Sequence, residues 1–312
     1  PAHLSRRRSR AAMRILILTN AASGKGRSAT LANAAQAALN AHNHNTTLVP
    51  LAPDWESHAQ GAELIVACGG DGTLSAAAPA AARLAIPVYH LPRGTENLFA
   101  RHFRMRADPD QLLRAAAARR IQRCDLSTCT ISAPDAHPYE RSFVLMCSVG
   151  IDADVLHALA ARRRGPISHA SYTIPVLASL ANPIVRTLTI VADGQTVVDR
   201  VRGHAIISNC PRYALGIDPS RNASMTDGLL DLFFIPSASR SRNLAWAALA
   251  ISRVGRRAPS IVRARASRLT IRIEGDHPNA GNFQLDGEAV SSHSPELTLR
   301  ALPGALPVLL PD

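Results

Sequence analysis

The stretch Gly69-Gly70-Asp71-Gly72-Thr73 has residue types and spacing suited to holding phosphate. Glycine lacks a Cβ, so three glycines in five positions let backbone N–H groups approach an anion that side chains would hold off. A helix opening at Thr73 would add its unpaired N–H groups and the positive end of its dipole. Asp71 would repel bare phosphate, so its presence points to Mg²⁺ or a hydroxyl proton lying between the charges. Two further segments share this chemistry: Ser23-Gly24-Lys25-Gly26, and Pro92-Arg93-Gly94-Thr95-Glu96-Asn97. The first is not a Walker A loop, because its lysine precedes the second glycine.

Each of the three segments follows a run that reads as a buried parallel strand: Arg14–Thr19, Glu63–Cys68 and Pro87–Leu91. Helices are expected to about Ala41, after Asp54, over Thr73–Leu84 and over Asp110–Ile121, with another strand at Thr46–Leu51. Strands alternating with helices predict a doubly wound parallel sheet whose ligand lies along the carboxyl ends of the strands. After Arg123 strands dominate, apart from one helical stretch between Asp152 and Ala181. Strands are expected at Val185–Ala192, Gln195–Val201, His204–Ser208, Leu229–Ile235, Arg268–Ile273, Phe283–Leu285 and Glu296–Arg300. Asp193-Gly194 is a two-residue hairpin turn. The expected plan is a basic, unordered tail at 1–12, an α/β nucleotide-binding domain at 13–125 and an antiparallel β-sandwich at 126–300. Residues 301–312 pack back on the first domain in this plan.

The 312 residues, 46% hydrophobic, suffice for a full core without staples. Five cysteines without CxxC pairing or zinc spacing predict reduced thiols in a cytoplasmic protein. No apolar run reaches the roughly 20 residues needed to cross a bilayer, and the N-terminal residues do not follow the plan of a secretory signal. The expectation is a soluble chain, peripheral at most at the inner face of the membrane. A formal charge of +12, with Lys25 the sole lysine, favours polyanionic partners such as nucleotides or an anionic lipid surface. Aromatics at 4%, with no recognition motif, argue against nucleic acid. Either a monomer or a homodimer is compatible with the sequence.

From Arg14 to about Arg300 the chain resembles the diacylglycerol kinase family in its bacterial form, soluble lipid kinases related to sphingosine and ceramide kinases and to NAD kinase. The resemblance rests on Asn20-x-x-Ser-Gly24, Gly69-Gly-Asp-Gly-Thr73, Pro92-x-Gly-Thr-x-Asn97, Ser148-Val-Gly-Ile-Asp-Ala153, Asp227-Gly-Leu-Leu-Asp231 and Asp286-Gly-Glu288. It implies ATP- and Mg²⁺-dependent transfer of the γ-phosphoryl group to a lipid hydroxyl at the membrane surface. ATP would lie on Asn20, Ser23 and Gly24, on Gly69, Gly70, Asp71, Gly72 and Thr73, and on Gly94, Thr95, Glu96 and Asn97. The catalytic carboxylates would be Asp286 and Glu288, one of them the base, with Asp71 acting on metal or on the proton network. Asp152 would hold the acceptor's head, or simply cap a helix. A second, structural Mg²⁺ would use Asp227 with backbone oxygens near Ser224 and Leu229, although Asp227 also fits a plain turn.

The Ile167–Leu180 segment suits either core packing or an acyl pocket, and Arg162-Arg163-Arg164 suits either lipid head groups or a solvated helix end. The sequence departs from the family pattern at Glu96 and Leu98, lacks a threonine after strand two, and keeps only Gly216 before the Asp-Gly turn. Two rival readings remain: a soluble-metabolite kinase of the NAD kinase type, and a non-catalytic nucleotide-binding protein that docks on membranes.

Overall fold

The computed structural model describes residues 12–20, 27–134, 136–161, 184–214, 219–237, 260–293 and 295–312. Strand β1 (Arg14–Thr19) lies between β2 (Asn45–Pro50) and β3 (Leu64–Gly69), and β4 (Val88–Pro92) follows β3, all parallel. Ile15–Leu18 and Leu64–Cys68 are buried at every position. Such strands are covered on both faces, which is why their sequences run apolar rather than alternating. Helices α1 (Arg27–Ala41), α2 (Asp71–Leu84), α3 (Leu98–Phe103) and α4 (Pro109–Ala118) belong to this lobe, with a 3-10 turn at Trp55–Ala59. Helix α2 opens at Asp71, two residues earlier than its composition suggested.

The second lobe holds β5 (Ile121–Ala133), β6 (Ala136–Phe143), β7 (Met146–Val149), α5 (Ile151–Ala161), β8 (Thr187–Ala192), β9 (Gln195–Ser208) and β10 (Leu230–Pro236). It continues with β11 (Val262–Ala266), β12 (Arg268–Glu274), β13 (Phe283–Leu285), β14 (Glu288–Val290) and β15 (Glu296–Leu309). One layer runs β6-β5-β15-β12-β8-β9 and the other β14-β13-β7-β9-β10-β11, antiparallel throughout. Phe143, Ile190, Ile207, Phe234, Ile271 and Phe283 fill the space between them. This is the expected β-sandwich. Asp193 and Gly194 both have positive φ, 43° and 87°, opposite the Ala192–Gln195 pair, so the turn has the type I′ form.

The sequence reading marked none of β5, β6, β7, β11 and β14, and two larger features also differ from it. The segments 195–201 and 204–208 form a single strand, β9, which serves both layers and bends where Arg200 has φ 50°. The chain also has no break at residue 125. Strands β5 and β15 pair from Glu296↔Ser132 to Leu309↔Ile121 and so run through both lobes, and Val308 of β15 joins β4 in parallel. The Ile167–Leu180 and Arg162–Arg164 segments, Gly216 and the tail before residue 12 lie outside the described residues.

Candidate active site

Loops two and three meet backbone to backbone. A Cβ on Gly94 would lie 2.6 Å from the Gly70 Cα, and one on Gly69 would lie 2.2 Å from Thr73 Oγ1. A larger residue at Gly94 would have to part the loops, and one at Gly69 would have to displace Thr73 within its own loop. Asp71 joins them further: its carboxylate accepts Leu98 N–H at 2.9 Å and Phe99 N–H at 3.2 Å, capping α3 from outside. Asn97, in the left-handed region at φ 49°, turns its side chain back on its own loop. Its Oδ1 accepts Gly94 N–H at 2.7 Å and its Nδ2 donates to Gly94 O at 2.8 Å. Glu96 pairs with Arg101 at 3.3 Å, and Thr95 is exposed. Asn20 is the last described residue of the first loop; Ser23 and Gly24 lie outside the described residues.

Thr73 Oγ1, Arg93 Nε and His90 Nδ1 are buried at these strand ends without a hydrogen-bond partner among the described residues. Such orphans are rare and call for a ligand or water. A hydroxyl, a guanidinium N–H and the α2 N-terminus are the chemistry that a triphosphate takes, so the residues present fit ATP. His90 Nε2 lies 3.0 Å from the Gly69 carbonyl and must donate to it, which leaves Nδ1 as an unprotonated acceptor. Burial holds His90 below the ordinary imidazole range, against the opposing pull of Asp71 and the Gly69 carbonyl.

The second lobe brings Asp286-Gly287-Glu288 to this edge. Asp286 (φ 50°) and Gly287 (φ 86°) form a two-residue turn, with Leu285 opposite Glu288. The two carboxylates have unlike surroundings. Asp286 is buried and takes four donors: Val144 N–H at 2.7 Å and Ser75 Oγ at 2.6 Å on one oxygen, Leu145 N–H at 2.7 Å and Met146 N–H at 2.9 Å on the other. Burial pushes its carboxyl up from the ordinary value, opposed by the Ser75 hydroxyl and the three N–H groups. Glu288 is exposed and pairs with Arg141 at 2.5 Å. Ser75 stands one turn after Asp71 on α2, so its bond to Asp286 brings the hairpin against the start of that helix.

Asp152 stands in the first turn of α5, half-buried, and accepts the Tyr213 hydroxyl at 2.6 Å and the Ser148 hydroxyl. Its helix is fixed by the fully buried Arg186. Both Nη atoms of Arg186 bind Asp154, while its Nε donates to Ala280 O at 2.7 Å and its Nη2 to Asn279 O at 3.0 Å. A buried guanidinium is tolerated only with its donors satisfied in this way.

Asp227 lies apart from these groups. Its carboxylate accepts Leu229 N–H at 3.1 Å and binds the Arg265 guanidinium, which also approaches Asp231 at 3.6 Å. The Gly228 N–H goes instead to Asp125 at 2.7 Å. Among the described residues no cluster of three His, Cys, Asp or Glu side chains exists. A divalent ion expected at Asp227, with backbone oxygens near Ser224 and Leu229, does not fit this charge set, because the Arg265 guanidinium already supplies the positive charge to Asp227. Ser75, Arg141, Tyr213, Gln284 and Arg265 were not legible as site residues. Only Ser75 carried a signal, standing one helical turn after Asp71.

The comparisons with known proteins bear on the family and the fold. Residues 14–129 match the diacylglycerol kinase catalytic domain, and residues 146–310 match the YegS C-terminal NAD kinase beta sandwich-like domain. A diacylglycerol kinase of Mycobacterium tuberculosis is 26% identical over 308 residues, covering 96% of this chain and 95% of that protein. The crystal structure of a diacylglycerol kinase from Bacillus anthracis str. Sterne superimposes with a TM-score of 0.68 at 19% identity, covering 96% and 97% of the two chains. Yeast NADH kinase complexed with NADH gives a TM-score of 0.53 at 10% identity, covering 97% of this chain and 85% of that one. Glycine-bearing loops from one lobe, a carboxylate hairpin from the other and the two family matches in chain order lead to one assignment: the chain belongs to the diacylglycerol kinase catalytic domain family, with a YegS-type C-terminal domain and the NAD kinase fold.

Proposed function

We propose that the chain is an ATP-dependent lipid kinase acting on the hydroxyl of diacylglycerol or a similar lipid at a membrane surface. The acceptor oxygen attacks Pγ, the bond from Pγ to the β,γ-bridging oxygen breaks, and ADP leaves. The acceptor proton passes to Glu288. The observation that carries this reading is the Ser75–Asp286 bond, which ties the hairpin of one lobe to the helix that opens at the phosphate loop of the other. Asp286 has all four of its acceptor positions filled, so it fixes the turn; Glu288, two residues on, is the carboxylate with capacity for a proton.

The phosphates lie on the loops at 69–73 and 94–97, with Thr73 and Arg93 donating to them. Mg²⁺ arrives with the nucleotide and supplies charge neutralisation. Asp71, with two donors on a carboxylate able to take about four, has room to hold it. The acceptor's head group binds at Asp152. The relative from Mycobacterium tuberculosis, by its name, supports a diacylglycerol as acceptor. An assay with labelled ATP against diacylglycerols, monoacylglycerols, sphingoid bases, ceramide and NAD tests the reading. Label transferred to a glyceride supports it, and label on NAD alone would refute it.

A further inference from the structure

We propose that Gln284 is a positioning residue: with Ser148 it forms a relay that carries the state of Asp152 to the Gly287 tip and thereby sets Glu288. The inference rests on the reading that Glu288 is the base and Asp152 the acceptor site. Gln284 on β13 stands directly opposite Ser148 on β7, and both are buried. Its neighbours Phe283 and Leu285 pack into the sandwich core, so packing alone gives no reason for an amide between them. A buried amide is costly unless its groups are paired, and here both are.

The links run in one direction. Gly287 N–H donates to Gln284 Oε1 at 2.8 Å, Gln284 Nε2 donates to Ser148 Oγ at 2.8 Å, and the Ser148 hydroxyl donates to Asp152 Oδ2. Gly287 N–H can only donate, so it fixes the orientation of the amide, and the amide then turns the serine proton towards Asp152. The middle of the chain is closed to water. Its ends are open, at half-buried Asp152 and at exposed Gly287. Tyr213 donates to the same Asp152 oxygen at 2.6 Å, which leaves Oδ1 with one bond, from Ala153 N–H at 3.0 Å. On binding, before its proton turns to Glu288, the lipid hydroxyl donates to Oδ1 and shares the charge pulling on Ser148. Hydrogen bonds in a chain polarise one another by ~10–30% each, so the change reaches the residue between Asp286 and Glu288. Occupancy of the acceptor site is thus reported to the base.

The test uses Ser148→Ala, Gln284→Met and the double variant, with dioctanoylglycerol in mixed micelles and ATP. Each single variant should lower kcat by about 10- to 100-fold, the scale of a small misplacement of a catalytic group, with KM for ATP unchanged. The double variant should be no worse than the weaker single one, because both break the same chain. Wild-type kcat in either variant, or losses that multiply, would overturn the relay. Should Gln284→Met fail to fold, Ser148→Ala decides through the split between kcat and KM. If the wild-type chain phosphorylates no glyceride, the lipid kinase reading fails by itself. Deuterium exchange at residues 284–290 then decides the relay: faster exchange in Ser148→Ala supports it and unchanged exchange sinks it.

Discussion

Asp286 and Glu288 are two residues apart and have unlike surroundings, one buried among four donors and one exposed beside Arg141. Glu288→Gln should lose about 10²- to 10⁴-fold in kcat, the usual worth of a general base, without a change in melting temperature. Asp286→Asn should instead cost about 1–3 kcal/mol of stability in urea unfolding, because an amide leaves buried N–H donors unpaired. The opposite split would exchange the two roles. The spacing of this pair was readable in the sequence, but its division of labour was not. The donors to Asp286 come from residues 144–146 and from Ser75, too far along the chain for any local pattern to announce them. Three histidines bear on pH. His44, His90 and His102 are all held below 6.5, in each case chiefly by burial. The folded state therefore binds fewer protons than the unfolded one just below pH 6.5, so stability is full above that value and falls as pH drops toward the folded pKa values. Each proton displaced contributes up to about 1.4 kcal/mol per pH unit. Unfolding at pH 5.5 and 7.5 should show the loss, and His90→Gln should reduce its slope.

At the scale of elements, the two glycine loops give contrasting expectations. Gly94→Ala must push against the Gly70 backbone, whereas a Cβ on Gly72 meets no heavy atom within 4 Å. Gly94→Ala should raise KM for ATP by roughly tenfold or more and lower stability by about 1–3 kcal/mol as an overpacked site, while Gly72→Ala should melt like the wild type. Calorimetry and ATP titration of the two variants check this; equal melting temperatures would show that loop contact is not tight. The βα repeats were legible because apolar runs and glycine turns alternate in a fixed order. Strand β11 was not. In Val262-Arg-Ala-Arg-Ala266 the outward positions are arginines and the inward ones small, so little apolar signal marks the strand. Strand β9 was read as two because its polar middle, Asp199 to Arg202, sits at the bend where it passes from one layer to the other.

Across the whole molecule, Arg265 stands where a structural divalent ion was expected. Its guanidinium bridges Asp227 and Asp231, and Asp125 grips the same turn through Gly228. Stability should therefore be insensitive to EDTA in the absence of nucleotide. Arg265→Met should destabilise the chain by about 1 kcal/mol, the order expected for a partly exposed ion pair after screening. A large EDTA-induced drop in the wild-type melting temperature would restore the metal. The two-lobe plan was visible from the change in periodicity near residue 123, and the return of residues 301–312 to the first lobe was expected; that they continue Glu296–Arg300 as one strand, paired throughout with β5, was not, since a long strand reads like two short ones.

That shared pair of strands also determines how the cleft can move. Lobes joined by a single tether swing freely, but here they are joined by a hydrogen-bonded ribbon interrupted between Leu302 and Leu306, where Asp125 holds Gly304 N–H at 2.8 Å. Any change in cleft width would then have to twist this ribbon, and the interruption anchored by Asp125 is where its ladder resists that twist least.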